Sequence, residues 1–254
     1  MDELILTFDG TFDGFLSAVY YAVKNRVRPR HISIEKSVQT DLTAKLVNVP
    51  TDSLNSEKVR SVICDKMGLD ALKRTYYAFL NSSPDSATAV YKYLLYGLKY
   101  GKKTSNYLSE PDIFKAYELA RAVTREADRV QGFLRFSVME GGVEYAPFEP
   151  VHDIITIITP HFAERLKSIP FVIHDIKREK AAVYTIKEWF LTDASEITLP
   201  SLSHDEKNFR AMWHEFYRAI AIRERKNERL QNNMLPKMYR KHMTEFMPQG
   251  NLTI

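Results

Sequence analysis

The sequence predicts an α+β protein in which a helical block and an antiparallel sheet form a single intertwined domain, residues 1–254. Three observations favour this fold class. Helical hydrophobic periodicity dominates about residues 51–131, and short alternating runs dominate about residues 132–193. A long amphipathic stretch and a basic stretch follow at about residues 204–246. Because helices and strands fall in separate blocks, an antiparallel sheet is expected.

The first 50 residues predict a strand, a helix and two further strands. Residues 4–8 read as a short β-strand, and an Asp-Gly pair ends it. Thr11 is a suitable N-cap for the helix that follows. Further short strands are expected at residues 31–35 and 44–49. We expect the first strand to join the sheet of the β-rich block, which would unite the chain.

Capping residues and prolines divide the helical block into four predicted helices. Proline is favoured at the first helical position because its missing N–H is not needed there. The predicted helices run from Thr51 or Asp52 to Met67, from Leu69 to Leu80, from Pro84 to Tyr100, and from Pro111 to about Val130.

The hydrophobic period changes after Gly132. Glu140-Gly141-Gly142 predicts a hairpin turn between two strands. A helix is expected from Pro150 to Leu166, with a break or a new start at Pro160, where no N–H can be donated. The predicted strands cover residues 133–138, 143–146, 171–175, 182–186 and 189–192.

A long helix is predicted to start near His204, after the polar linker 201–203. Its apolar residues recur at helical spacing, so they are expected to face the core. These residues are Phe209, Met212, Trp213, Phe216 and Ile220.

Composition excludes several classes of protein. The 14 Tyr and 14 Phe provide too much apolar surface for a disordered chain. The single cysteine, Cys64, excludes a disulfide scaffold and an iron–sulfur cluster. No apolar run reaches the ~18 residues of a membrane span, and the opening residues lack a signal-peptide pattern, so a cytoplasmic protein without membrane association is expected. No phosphate loop, zinc motif or nucleophile elbow is present in the sequence, so no cofactor or metal is predicted.

Positive charge is concentrated near the C-terminus. The whole chain carries a net charge of +4. Residues 207–242 contain ten basic and three acidic side chains, a net charge of +7, which leaves −3 for the remainder. Such asymmetry indicates a polyanionic partner.

The candidate nucleic-acid-binding residues lie within this stretch. Cations can contact phosphates and amides can contact sugars or base edges, while Tyr239 could stack on an unpaired base. The alternative is a solvated helix end whose cations offset the helix dipole. The candidates are Arg223, Arg225, Lys226, Asn227, Arg229, Gln231, Lys237, Tyr239, Arg240 and Lys241.

A second row of arginines recurs at i, i+4 and i+8 in the last predicted helix of the helical block. Arg121, Arg125 and Arg129 therefore share one helix face and could also contact phosphates. Pairing with neighbouring carboxylates such as Glu126 is the arrangement we expect instead.

Three histidines and an aspartate form the candidate catalytic site. His152, His161, His174 and Asp175 lie at or near the ends of predicted elements, where segments can converge. Imidazole and carboxylate together could bind a divalent metal or run acid–base chemistry near neutral pH. The alternative, which we favour, is that these side chains cap elements or make structural hydrogen bonds.

Several phrases carry a resemblance to a known family. They include FDGTFDGFL at residues 8–16, GFLRF at 132–136, RKNERLQ at 225–231 and MLPKMY at 234–239. The chain resembles a bacterial family of DNA metabolism and DNA repair proteins. The resemblance implies two partners, a radical S-adenosylmethionine protein that modifies DNA and a uracil-DNA glycosylase, to which related sequences are fused. It brings no catalytic residue.

Two functions therefore remain from the sequence. The first is an accessory nucleic-acid-binding protein of bacterial DNA repair or modification that works with one or both implied partners. The second is a metal-assisted or acid–base enzyme that acts on nucleic acid through the histidine and aspartate site. A scaffold whose basic end docks on an acidic protein is a third, weaker possibility.

Overall fold

The computed structural model describes residues 4–35, 44–198 and 200–247. Its architecture is α+β, as the sequence predicts. The chain divides into two compact units, Met1–Arg125 and Glu126–Ile254, which are described in turn.

The first unit contains most of the helices and a small sheet. Its predicted helices are all present, and their ends agree with the capping signals to within a few residues. In chain order its elements are β1 (Leu4–Phe8), α1 (Phe12–Lys24), β2 (His31–Ile34), β3 (Lys45–Asn48), α2 (Ser53–Met67), α3 (Leu69–Phe79), α4 (Ser86–Tyr100) and the first part of α5 (Pro111–Phe133).

The expectation that the first strand joins the later sheet is wrong. β1 lies in the middle of a separate three-stranded sheet of order β2-β1-β3, and both pairings are parallel. Residues 5–8 are all buried, which explains the almost continuous apolar run of β1, since central parallel strands are covered on both faces. Helix α1 provides the crossover that a parallel β1–β2 pair requires.

The turn from β1 to α1 is built from close polar contacts. Gly10 has φ +88°, a conformation that favours glycine. The Thr11 hydroxyl accepts the Gly14 N–H at 2.9 Å and so caps α1. The Asp9 carboxylate accepts hydrogen bonds from Thr11 and Thr51, and a Cβ on Gly14 would lie only 2.1 Å from it. The turn is therefore a helix cap with close backbone packing.

The second unit begins within α5 and contains a five-stranded sheet. Its strands occur in the order β4-β5-β6-β7-β8, and every pair is antiparallel except β5–β6. After α5, its elements are β4 (Ser137–Val138), β5 (Glu144–Phe148), α6 (Ile155–Arg165), β6 (Phe171–Asp175), β7 (Lys180–Tyr184), β8 (Trp189–Asp193), α7 (His204–Ala219) and α8 (Glu228–Met234).

The sheet is therefore mixed, and this has a local cause. The predicted hairpin joins β4 and β5, with positive φ at Gly141 and Gly142. Helix α6 then returns the chain across the sheet, so β6 runs parallel to β5. The expected break at Pro160 is wrong, because α6 continues through this exposed residue.

The expected orientation of α7 is wrong. Its polar residues Glu206, Arg210 and His214, spaced four apart, are 7%, 2% and 8% exposed. The Arg210 guanidinium donates to Glu206 at 2.9 Å and to the Ser137 hydroxyl of β4. These buried contacts hold the polar face inward. The residues expected in the core are instead exposed or half-exposed, namely Phe209, Met212, Trp213, Phe216 and Ile220.

Candidate nucleic-acid interface

The basic segment after α7 is made of short helical pieces. Between 3₁₀ turns at Arg223–Arg225 and Lys237–His242 lies α8, which has no buried residue. The Asn227 side chain accepts the Leu230 N–H at 2.9 Å and caps α8. Asn227 therefore has a structural role, while the outward side chains of the segment are free for other contacts.

Three cations of this segment are exposed and make no ion pair with any described residue. They are Arg225, Arg229 and Lys237. Lys226 pairs with Glu228 at 3.0 Å, and both side chains are 72% exposed. Such a pair is screened by water and contributes little, so Lys226 can exchange Glu228 for a phosphate. Gln231 is also exposed, and the side chain of Arg223 lies outside the described part of the structure.

Two other predicted cations are held by the protein itself. Arg240 donates to Asn232 at 2.9 Å and to the Leu235 carbonyl at 2.8 Å. Lys241 donates to Glu149, which also binds His242 at 2.9 Å. Hydrogen bonds from Lys241 and then His242 lower the pKa of Glu149. Arg240 is half-buried and helps to fix the path of the segment, whereas the side chain of Lys241 is 66% exposed and its ion pair is screened by water, as that of Lys226 is.

Tyr239 is also engaged internally. It is half-buried, its ring packs at 5.9 Å from Phe133, and its hydroxyl donates to Glu126 at 2.9 Å. Glu126 is buried and also accepts the backbone N–H groups of Val151 and His152 at 2.8 and 2.7 Å. Burial, together with the Glu126 carboxylate, raises the pKa of Tyr239. This position favours a structural role for Tyr239.

The candidate catalytic histidines have different neighbours. His161 is exposed on α6, with its ring 5.1 Å from Phe162. His174 Nδ1 shares a hydrogen bond of 2.7 Å with the Tyr145 hydroxyl. His152 lies near Glu126, and burial lowers the pKa of both His152 and His174.

Asp175 is fully buried and accepts a hydrogen bond from Arg178 at 2.8 Å. Burial raises the pKa of Asp175 although the Arg178 guanidinium opposes the shift. Arg178 also donates to the carbonyls of Pro150 and Val151, so this pair ties a loop to the sheet. Within the described ranges, no three His, Cys, Asp or Glu side chains are grouped so that they could hold a metal ion.

The exposed face of α7 adds aromatic groups beside the cations in the sequence. The rings of Phe209 and Trp213 are stacked with centroids 6.4 Å apart, and Trp213 and Phe216 are 5.7 Å apart. The helical spacing of these aromatic residues is visible in the sequence, but it predicted that they face the core.

Comparison with known families places the chain in one of them. Residues 84–245 match a family described as a domain of unknown function, DUF4130, and the match covers more than half of the chain. The chain belongs to the DUF4130 family. A comparison of this DUF4130 member with curated proteins found no match. The family description therefore assigns no activity to the interface.

The length and apolar character of the helices in this DUF4130 member can be compared with those of a membrane span. None of those in the described part of the chain combines the length and the apolar character that a membrane crossing requires.

The first unit contains a basic concavity that was not predicted from the sequence. It has a volume of about 760 Å³, and its lining includes Arg26, Arg28, Lys99 and Tyr91. The signal in the sequence is the alternation of cations at Lys24, Arg26, Arg28 and Arg30.

A second concavity in the first unit involves the arginine row of α5. It has a volume of about 550 Å³ and is lined in part by Phe114, Lys115, Arg121 and Arg125. The expected pairing with carboxylates is wrong for Arg121 and Arg125, which form no ion pair with a described residue. Of the carboxylates near this row, Glu126 is occupied by backbone N–H groups and by the Tyr239 hydroxyl.

Proposed function

We propose that this chain is an accessory nucleic-acid-binding protein of bacterial DNA repair or modification that acts in the cytoplasm. The observation that carries the proposal is that Arg225, Arg229 and Lys237 are exposed and form no ion pair with any residue that the structure describes. They lie within residues 207–242, a stretch of net charge +7. Cations without protein partners can neutralise phosphates and release the counterions condensed on DNA.

The tethered residues of the segment support the same proposal. Arg240 bonds to Asn232, His242 bonds to Glu149, and Asn227 caps α8. The free cations are therefore displayed on a backbone that is held at several points. A held backbone loses less conformational entropy when it binds a polyanion.

The proposed partners follow from the family resemblance. A radical S-adenosylmethionine protein or a uracil-DNA glycosylase would perform the chemistry, and this chain would hold the nucleic acid. One cysteine cannot ligate the cluster that radical chemistry uses, so that step belongs to the partner.

Salt-dependent binding tests the proposal. We expect the full chain to bind labelled DNA with an affinity that falls as salt rises. Replacing Arg225, Arg229 and Lys237 together by Ala should weaken binding and lower the slope of log K against log salt by about 2.7 on duplex DNA, at about 0.9 per phosphate contact. Fluorescence anisotropy over a series of salt concentrations measures both quantities.

The matched control removes the same charge elsewhere. Lys102, Lys103 and Lys187 are exposed and lie outside the basic segment, so their triple Ala variant should bind with an almost unchanged slope. An equal effect of both variants would show that net charge alone is responsible and would overturn the assignment of the interface. Absence of salt-dependent binding would overturn the function.

A further inference from the structure

The α7 aromatic face, defined as Phe209, Trp213 and Phe216, is exposed in a way that the packing of the protein does not explain. Phe209 and Phe216 are 55% and 51% exposed, and Trp213 is half-buried. Met212 and Ile220, 64% and 57% exposed, extend the same face. Large contiguous apolar patches on a protein surface mark interaction sites.

The arrangement of the rings favours planar partners. Phe209 and Trp213 are nearly parallel, with an interplanar angle of 15° and centroids 6.4 Å apart. Trp213 and Phe216 are inclined by 33° at 5.7 Å. Neighbouring bases in a stacked strand are ~3.4 Å apart. A single strand extended to about twice this spacing can therefore place successive bases on successive rings.

The positive charge at the end of α7 and after it in the chain favours one class of partner over others. Arg218 lies in the last turn of α7, and the exposed Arg225, Arg229 and Lys237 follow in the chain. A second copy would bring two segments of net charge +7 together, which disfavours self-association through this face. A polyanion that also presents flat apolar groups is complementary in both respects.

We propose that the α7 aromatic face stacks the unpaired bases of a single-stranded nucleic acid while the exposed cations hold its phosphates. The inference rests on the proposed function and adds a preference for single strands, while duplex DNA is bound through the cations alone. Duplex DNA keeps its bases stacked inside the helix, where these rings cannot reach them. Stacking on aromatic side chains is also tolerant of base sequence, so little sequence preference is expected.

Tryptophan fluorescence provides a direct test. The chain has two tryptophans, Trp189 and Trp213, so the substitution Trp189→Phe leaves Trp213 as the only one. Titration of this variant with a thymidine oligonucleotide should quench its fluorescence in a saturable way. A duplex of the same length should quench it much less.

Substitution of the neighbouring rings tests the same face by affinity. Phe209→Ala and Phe216→Ala should each weaken single-strand binding at least about five-fold and leave duplex binding almost unchanged. Phe190→Ala is the matched control, since Phe190 is 47% exposed on β8. All these side chains are exposed, so the variants should fold, and urea unfolding checks this.

The outcomes separate the two proposals. Salt-dependent binding without Trp213 quenching, and without loss in the Phe209 and Phe216 variants, would overturn single-strand stacking and leave the proposed function standing. Failure to bind any nucleic acid would overturn both. A concentration-dependent dimer, detected by sedimentation and abolished by Phe216→Ala, would show that a second copy covers the face and would overturn the stacking inference.

Discussion

Hydrogen bonds separate the free cations of the basic segment from the held ones, a distinction that the sequence pattern does not show. Arg225 and Arg240 belong to the same basic segment, yet Arg225 is exposed and unpaired among the described residues while Arg240 is held by Asn232 and Leu235. Lys241 is likewise held by Glu149, 92 residues away in the chain. A local pattern counts charge but cannot predict partners that the fold brings from distant segments.

Glu126 provides a test of the internal anchoring of Tyr239. We expect Glu126→Gln to lower the free energy of unfolding by about 1–3 kcal/mol, because an amide NH₂ would face donors in place of an acceptor oxygen. Tyr239→Phe removes the hydrogen bond to Glu126 and should cost about 0.5–1.5 kcal/mol. Urea unfolding of both variants measures these differences. An unchanged stability of Glu126→Gln would mean that the carboxylate does not hold the Val151–His152 backbone.

At the scale of elements, periodicity located α7 and its start but indicated the wrong buried face. The N-cap Ser203 accepts the Glu206 N–H at 3.1 Å, as the polar linker before the helix suggests. The period of 3.6 residues shows that one side is apolar, but it does not show which side has a neighbour. The contact of Arg210 with Ser137 in β4 decides this, and it depends on a pairing 73 residues apart.

Paired substitutions test the orientation of α7. Arg210→Ala should lower the free energy of unfolding by about 3–5 kcal/mol, because it leaves the buried Glu206 carboxylate without its partner. Phe216→Ala should change it by no more than about 0.5 kcal/mol, as expected for an exposed side chain. Chemical denaturation measures both. The reverse ranking, a large loss for Phe216→Ala and a small one for Arg210→Ala, would show that the apolar face is the buried one.

For the whole molecule, the distribution of charge can be predicted from the sequence, whereas the pairing of the strands cannot. The net charge of the basic segment follows from counting residues, and its exposure follows from the general cost of burying cations. Strand pairing does not follow from counting. β1 has the apolar character of a covered strand, which suits the separate parallel sheet as well as the later sheet, and only the fold selects between them.

The stability of the whole chain should fall as the pH decreases from about 8 to about 6. Burial lowers the pKa of His152 and His174 below 6.5, so the unfolded chain binds protons first and unfolding becomes more favourable below that pH. Burial raises the pKa values of Glu144 and Asp175, and these shifts affect stability with the opposite sign. Urea unfolding at the two pH values measures the effect.

The control for this pH dependence is the double variant His152→Gln and His174→Gln. It should lose much of the difference in stability between the two pH values, because glutamine does not titrate. A wild-type chain that is equally stable at both would contradict the burial of these imidazoles in neutral form.

The sequence by itself determined the α+β class, the positions of the helices, the hairpin and the basic segment. These features depend on local signals such as caps, turns, periodicity and charge, which act within a few residues. Only the tertiary structure decided the partner strands of β1, the buried face of α7, and which cations remain free. Those choices depend on contacts between residues far apart in the chain, where several arrangements satisfy the same local pattern.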